Sequence, residues 1–399
     1  MLIYWLWLHL IEDITSAEKR ALLEYFHDPE ELYRAKESTY RAVVAMAKEG
    51  YEALSNKDLS KARELAAMCS QRRIGIVTIG DSGYPARLKQ VPDAPMVLYY
   101  RGRLPNWELY PAIGIVGTRR ATAYGLQMSG RMGAQIAACG GMVVSGGASG
   151  VDSAAMEQAL LQDGVVVGVL GCGVDVVFPA SNRELFAKME EKGCLISEYP
   201  PGTPGYKWNF PRRNRLISGI SHGVLVVEAP ERSGALITAR YALEQGREVF
   251  VVPGNIDSET SAGSNNLLRE GATAVFGGYD ILREYELRFP GRIRRAEPKE
   301  IQAKIQPIPE KVETLPTKPA KKPIDNREVS HYSVLNSGIN ALTEEEKTIL
   351  SHLTEKIEPA DEVIVRSGLP AAKALSILTK LSLKGLVKHH PGKCVSLNK

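Results

Sequence analysis

Six arginines stand where apolar runs of the chain give way to small residues: Arg119, Arg120, Arg212, Arg213, Arg215 and Arg232. A guanidinium is a permanent cation whose forked donors match the oxygens of a phosphate. Glycine, serine or asparagine accompanies them in "VGTRRATAYG" (116–125), "FPRRNRLISG" (210–219) and "VVEAPERSGALIT" (226–238), and "VSGGASGVDSAA" (144–155) and "LGCGVDVVFPASN" (170–182) have the same small-residue texture. Glycine turns let an anion approach the backbone closely. A helix starting behind such a turn adds unpaired N–H groups and the positive end of its dipole. The chemistry on offer is phosphate binding, and six cations exceed what one small phosphate needs. A groove that follows several phosphates of a nucleic-acid strand uses them better. About half of the set is expected to pair instead with Asp152, Asp175, Glu198 and Glu228.

A nucleotide cofactor fits poorly. No G-x-G-x-x-G occurs; Gly171 and Gly173 supply only G-x-G. No acidic residue stands about twenty positions beyond Gly117 to hold a ribose. The P-loop motif and the G-x-S-x-G nucleophile elbow are also missing. Ser145 and Ser149 have no histidine in their stretch to activate them. No catalytic residue and no cofactor are expected. The cysteines at 69, 139, 172, 194 and 394 form no CxxC pair, and no histidine stands at metal-ligand spacing from one of them. No metal site is expected, and the thiols suit a reducing cytoplasm.

Such residues need a scaffold that brings strand ends together. From 111 to about 280 the apolar runs at 112–117, 141–146, 165–171, 194–199, 223–229 and 248–254 alternate with helical patterns at 124–139, 151–163, 182–192 and 234–245. Continuous apolar runs of that length read as strands buried on both faces, and the alternation reads as a doubly wound α/β parallel sheet. Residues 1–70 carry helical periodicity without strand-like runs and are expected to form a small all-α domain. The α/β domain, with two β-rich runs leading in, is expected over 71–289. Prolines interleaved with lysines make 290–340 a semi-extended linker. Over 341–399, a capping box at Thr343 and Glu346 opens three helices and a hairpin turning at Pro391-Gly392, a winged-helix pattern.

The 399 residues suit two or three domains, and 44% hydrophobic with 24% charged residues fits a globular protein with a sizeable core. A net charge of +4 permits nucleic-acid binding only where the basic residues are concentrated. The apolar start "MLIYWLWLHLIEDI" is too short to span a membrane and lacks the basic lead of a signal peptide. A buried first helix, a cytoplasmic location and no membrane partner are expected.

In their order along 111–272, the quoted stretches resemble the DprA/Smf family of bacterial DNA-processing proteins. "FPRRNRLISG" followed by "VVEAPERSGALIT" is the most specific part. The helical start, of SAM or helix-hairpin-helix kind, and the winged-helix end are similar to that family's three-part layout. The resemblance implies an extended Rossmann-like domain that binds and protects single-stranded DNA, helps load the RecA recombinase in natural transformation, and dimerises through that domain. Carried over by residue, it implies a phosphate contact at Arg119, a glycine turn from Ser145 to Asp152, and functional elements at Arg213-Asn214-Arg215 and Ser233–Thr238. The candidate DNA-contacting residues are then Gly117, Thr118, Arg119, Arg120, Ser145, Gly146, Gly147, Gly150, Asp152, Gly171, Gly173, Asn182, Arg183, Arg212, Arg213, Asn214, Arg215, Ser233, Gly234 and Thr238.

Two positions depart from the family pattern: Met156 stands where a histidine is usual and Ala180 where a lysine is common, with Arg183 as a substitute cation. Two other functions compete. A nucleotide phosphoribohydrolase would need a motif glutamate that "PERSGALITARYALE" lacks, leaving Glu228 as its nearest strand-end carboxylate. A regulator acting through the winged helix would rest on nine basic against seven acidic residues from 341 onward, a small excess. Tyr124, Phe178, Tyr206, Trp208 and Phe210 are candidates for base stacking or for core packing.

Overall fold

The amino-terminal region folds as six short helices, α1 (Leu2–Leu10), α2 (Ser16–Phe26), α3 (Pro29–Arg34), α4 (Glu37–Val43), α5 (Lys48–Ser55) and α6 (Ser60–Gln71). The apolar start becomes a buried helix, with Trp5, Leu6, Trp7 and Leu8 out of solvent. A capping box between Thr15 and Glu18 satisfies the first N–H groups of α2. In this computed structural model the described residues are 1–306, 342–354, 356–369, 371–383, 386–390 and 394–398.

The sheet begins with β1 (Gly75–Thr78), α7 (Ala86–Lys89) and β2 (Val97–Gly102). Then come β3 (Ala112–Val116), α8 (Ala123–Ala138), β4 (Met142–Ser145), α9 (Val151–Leu161), β5 (Val165–Val169), α10 (Arg183–Lys192) and β6 (Cys194–Ser197). It continues with α11 (Asn209–Ile220), β7 (Gly223–Val226), α12 (Gly234–Glu244), β8 (Glu248–Val251), α13 (Ala262–Arg269), β9 (Thr273–Ala274) and α14 (Gly278–Leu282). The strand order is β1-β2-β6-β5-β4-β3-β7-β8-β9. From β6 to β9 the neighbours pair in parallel, and β2 and β1 extend the β6 edge antiparallel. The β-rich lead-in is thus part of the sheet itself.

Alternation along the strands sends side chains into two cores. Ile113 and Ile115 of β3 face α8, α9 and α10, whereas Ala112 and Val116 face α11 and α12. Burial on both faces is what the unbroken apolar runs require. The amino-terminal helices pack on Val97 and Tyr99 of β2 and on Val174, so helices and sheet share one compact unit.

One expectation needs correcting. Residues 290–306 are not linker: α15 (Pro298–Lys304) buries Ile301 in the α8–α9 core, Gln162 donates to Ile301 O within that helix, and Gln158 pairs with the Gln306 backbone beyond it. The prolines hid four apolar side chains, Ile293, Ala296, Ile301 and Ile305, that reach this core. The rest of the expected linker lies outside the described residues.

In the second unit Thr343 and Glu346 form the expected capping box at the start of α16 (Glu344–Ser351). β10 (Glu358–Pro359), α17 (Ala360–Ser367), α18 (Ala371–Leu383), β11 (Val387–His390) and β12 (Cys394–Leu397) follow. β12 pairs antiparallel with both β10 and β11, and Ile349, Val363, Leu378 and Val395 meet in its core. The Pro391-Gly392 turn lies outside the described residues. This is a winged helix.

Candidate nucleic-acid interface

The winding of the sheet reverses between β3 and β7. β4, β5 and β6 lie on one side of β3, and β7, β8 and β9 on the other. Open α/β sheets bind ligands beyond the carboxyl ends of the strands at such a switch point. A cavity of about 710 Å³ lies there. Gly117, Thr118, Arg119 and Arg120 line it from the end of β3, and Arg232, Ser233, Gly234 and Thr238 from the turn after β7 and α12. Phe210, Arg213 and Asn214 of α11 form a third wall, with Asp152, Phe178 and Lys207 completing it.

The rim is cationic. Arg119, Arg120, Lys207 and Arg232 are exposed, and among the described residues none makes a salt bridge. Arg119 lies over the Phe210 ring, 5.2 Å from its centroid, and Phe210 in turn contacts Phe178 at 5.2 Å. The ring presets the arginine without neutralising it. Ser233 caps α12 by accepting the Ala235 N–H at 3.2 Å, so the positive end of that helix dipole points at the cavity wall.

The floor is different. Arg215 is buried, and it forks onto Glu198 at 2.9 and 2.7 Å and onto Asp93. Burial opposes its charge, but the two carboxylates outweigh that and hold its pKa above the ordinary arginine value. Its donors are thus taken up inside the protein, where the sequence reading expected a DNA contact. Arg213 is also buried and donates to the carbonyls of Gly146 (2.7 Å) and Val169 and, through Nε, to Asn214 Oδ1 at 3.2 Å. Burial, with Arg119 nearby, lowers its pKa to about 10, while Asp152 works against the fall. Burial raises the Asp152 pKa against the pull of Arg213 and of two backbone N–H groups. With its donors on the carbonyls of Gly146 and Val169, Arg213 ties α11 to the glycine turn and to the end of β5.

The glycine turn is closed by the protein's own atoms. Asp152 Oδ2 accepts the N–H groups of Gly146 (3.1 Å) and Ala148 (3.3 Å), Asn182 donates to Gly147 O at 2.9 Å, and Ser145 donates to Ile115 O at 2.7 Å. Gly147 and Gly150 have φ of +64° and +84°, which a side chain resists. At Gly146 a Cβ would overlap the Arg213 guanidinium, and at Gly171 the Phe210 ring. Ser145, Gly146, Asp152 and Asn182 are thus engaged in the turn's own hydrogen bonds, where the sequence suggests an open anion cradle, and Gly171 packs against Phe210. Gly173 is buried and its N–H bonds to Thr203 O. Arg183 and Arg212 are exposed but lie outside the cavity lining.

Of the four carboxylates expected to take arginines, Glu198 does so within hydrogen-bond range. Asp175 pairs with Arg72 instead. Glu228 accepts from Thr122 N, Thr122 Oγ1 and Thr260 Oγ1, bracketing the start of α8. A carboxylate tied to three donors in the core is no acid–base catalyst for a hydrolase.

Residues 75–286 match the family model described as DNA recombination-mediator protein A. The chain belongs to that family. Its members are recombination mediators, DNA-binding proteins and not enzymes. Residues 337–393 match the DprA winged helix domain. Protein Smf of Synechocystis is 34% identical over 332 residues, covering 81% of this chain and 80% of that protein. DNA processing protein DprA of Bacillus subtilis is 42% identical over 222 residues, covering 56% of this chain and 74% of the relative. The X-ray structure of DNA processing protein A from Streptococcus pneumoniae superposes with a TM-score of 0.63 at 30% identity, over 71% of this chain and 98% of that one.

Membership agrees with the recombination-mediator layout, and the structure adds what sequence reasoning missed. Lys207 joins the rim; its only signal was a lone lysine just before "WNFPRRNR". Asp93 holds Arg215 across 122 residues of sequence, with no local signal at all. Met156, at the family's usual histidine position, is fully buried between α9 and the strands, where an apolar side chain is at home. No described helix is long and apolar enough to cross a membrane, and no metal-holding cluster occurs among the described residues.

Proposed function

We propose that the switch-point groove binds single-stranded DNA and that the protein, as a cytoplasmic homodimer, passes the strand to the RecA recombinase. The observation that carries this reading is a rim of four exposed cations that make no salt bridge among the described residues, set beside aromatic rings at the carboxyl ends of β3 and β7. Arg119, Arg120, Lys207 and Arg232 are the phosphate contacts, with the walls of Thr118, Ser233, Gly234 and Thr238 beside them. Cations that track a backbone, next to exposed rings on which bases stack, are the common design of single-strand sites. The recombination-mediator family supports RecA as the receiving partner. Dimerisation through the sheet domain and the cytoplasmic location rest on the family resemblance. The sheet domain over 71–289 is taken as the DNA-binding part, between a helical 1–70 and a winged helix over 341–399.

The test is binding of one oligonucleotide, single-stranded and as its duplex, across a salt series. Each single-strand phosphate contact contributes a slope of about −0.7 in log K against log salt. Tighter binding of the single strand is expected, with Arg119→Ala weakening it and flattening the slope by about 0.7. Equal affinity for the duplex, or indifference to Arg119→Ala, overturns the reading.

A further inference from the structure

Of the four tryptophans, Trp5, Trp7 and Trp107 are buried, whereas Trp208 is 70% exposed. It is not alone in water. Tyr206 lies flat against it, ring centroids 4.8 Å apart and planes within 6°. Tyr206 is itself 44% exposed. The pair sits on the loop entering α11, on either side of Lys207, which lines the groove. Tyr206 N–H donates to Pro204 O at 2.9 Å and Asn209 N–H to Tyr206 O at 3.0 Å, so the loop is held at both ends. Tyr206 covers one face of the indole, and the exposure of Trp208 leaves its other face open. Two parallel rings beside a phosphate-binding cation are an unfinished stack, and a nucleobase is the flat ligand that continues it.

We propose that the Tyr206–Trp208 pair is a base-stacking platform at the edge of the groove, taking one unpaired nucleobase of the bound strand on the open face of Trp208. This rests on the groove being a single-strand site. Stacking uses the π-face that every base has, so the platform is indifferent to base identity. It does distinguish strand from duplex, because the bases of a duplex are already stacked on one another and unavailable to Trp208. Lys207, between the two rings, answers a phosphate next to the stacked base.

The full chain is titrated with an oligothymidylate and with an abasic oligonucleotide of equal length, by anisotropy and by tryptophan emission. The oligothymidylate is expected to quench the emission of the one exposed tryptophan, and the abasic strand to leave it nearly unchanged. Trp208→Ala is expected to weaken oligothymidylate binding about ten-fold and to leave abasic binding unmoved. Trp208→Phe recovers most of the loss. Equal weakening of both ligands by Trp208→Ala, or of neither, overturns the platform while leaving the groove standing. If Arg119→Ala moves neither ligand, the groove reading fails and the platform falls with it.

Discussion

Arg119 and Arg120 stand at one edge of the groove, and Arg213 and Arg215 stand under it. All four belong to the same chemical class and end the same kind of sequence stretch. The first two are exposed and unpaired among the described residues; the other two are buried and bonded, Arg215 to carboxylates and Arg213 to carbonyls. The difference shows that an arginine-rich motif serves two purposes. A buried guanidinium has enough donors to lock several elements together, and Arg215 joins α11, the segment after β6 and the Asp93 loop in one fork. An exposed one keeps its charge available for phosphates. The floor holds the geometry that lets the rim carry the field.

The comparison can be broken most forcefully at Arg215. Arg215→Ala leaves Glu198 buried without its cation, and a loss of about 3–5 kcal/mol is expected in urea denaturation. Arg215→Lys recovers only part, since a lysine cannot fork. Unchanged stability together with lost DNA binding would move Arg215 to the rim.

Acid offers the next largest effect, through the scaffold alone. Burial, with Arg87, Arg288 and Arg247 nearby, lowers the His222 pKa to about 3, and burial, with Lys19, lowers that of His9 to about 4. Below about pH 6.5 the unfolded chain takes up these protons while the folded chain does not. Stability is therefore complete above that pH and falls as pH drops through the window toward 4. His222 alone accounts for on the order of 2 kcal/mol by pH 5. Denaturation at pH 7 and pH 5 checks this, and His222→Asn, which keeps an acceptor for the Ala112 N–H, is expected to reduce the loss.

The smallest stability effect belongs to the rim. Arg119→Ala is expected to shift unfolding by less than about 0.5 kcal/mol, as for an exposed site away from packing. A fall in melting temperature as large as that of Arg215→Ala would erase the distinction between rim and floor.

Much of the scaffold was legible along the chain. The six apolar runs and four helical patterns correspond to β3–β8 and α8, α9, α10 and α12 with ends shifted by a few residues, because continuous β-branched runs and 3.6-residue periodicity are local signals. The Thr343–Glu346 capping box was equally local. The site was legible as a neighbourhood. Its division of labour was not, because nothing local distinguishes Arg119 from Arg215. The glycines misled for a related reason. A small residue permits close approach without saying of what, and at Gly146 and Gly171 the visitor is the chain's own Arg213 and Phe210.

The amino-acid sequence by itself determined a doubly wound sheet flanked by helical and winged-helix regions, and cations gathered at its strand ends. Those follow from periodicity, capping and charge, which act over a few residues. Only the tertiary structure decided which cations face water, since that depends on partners such as Asp93, 122 residues from Arg215 in the chain. It also put Tyr206 and Trp208 flat together outside the core, where hydrophobicity alone would have buried them.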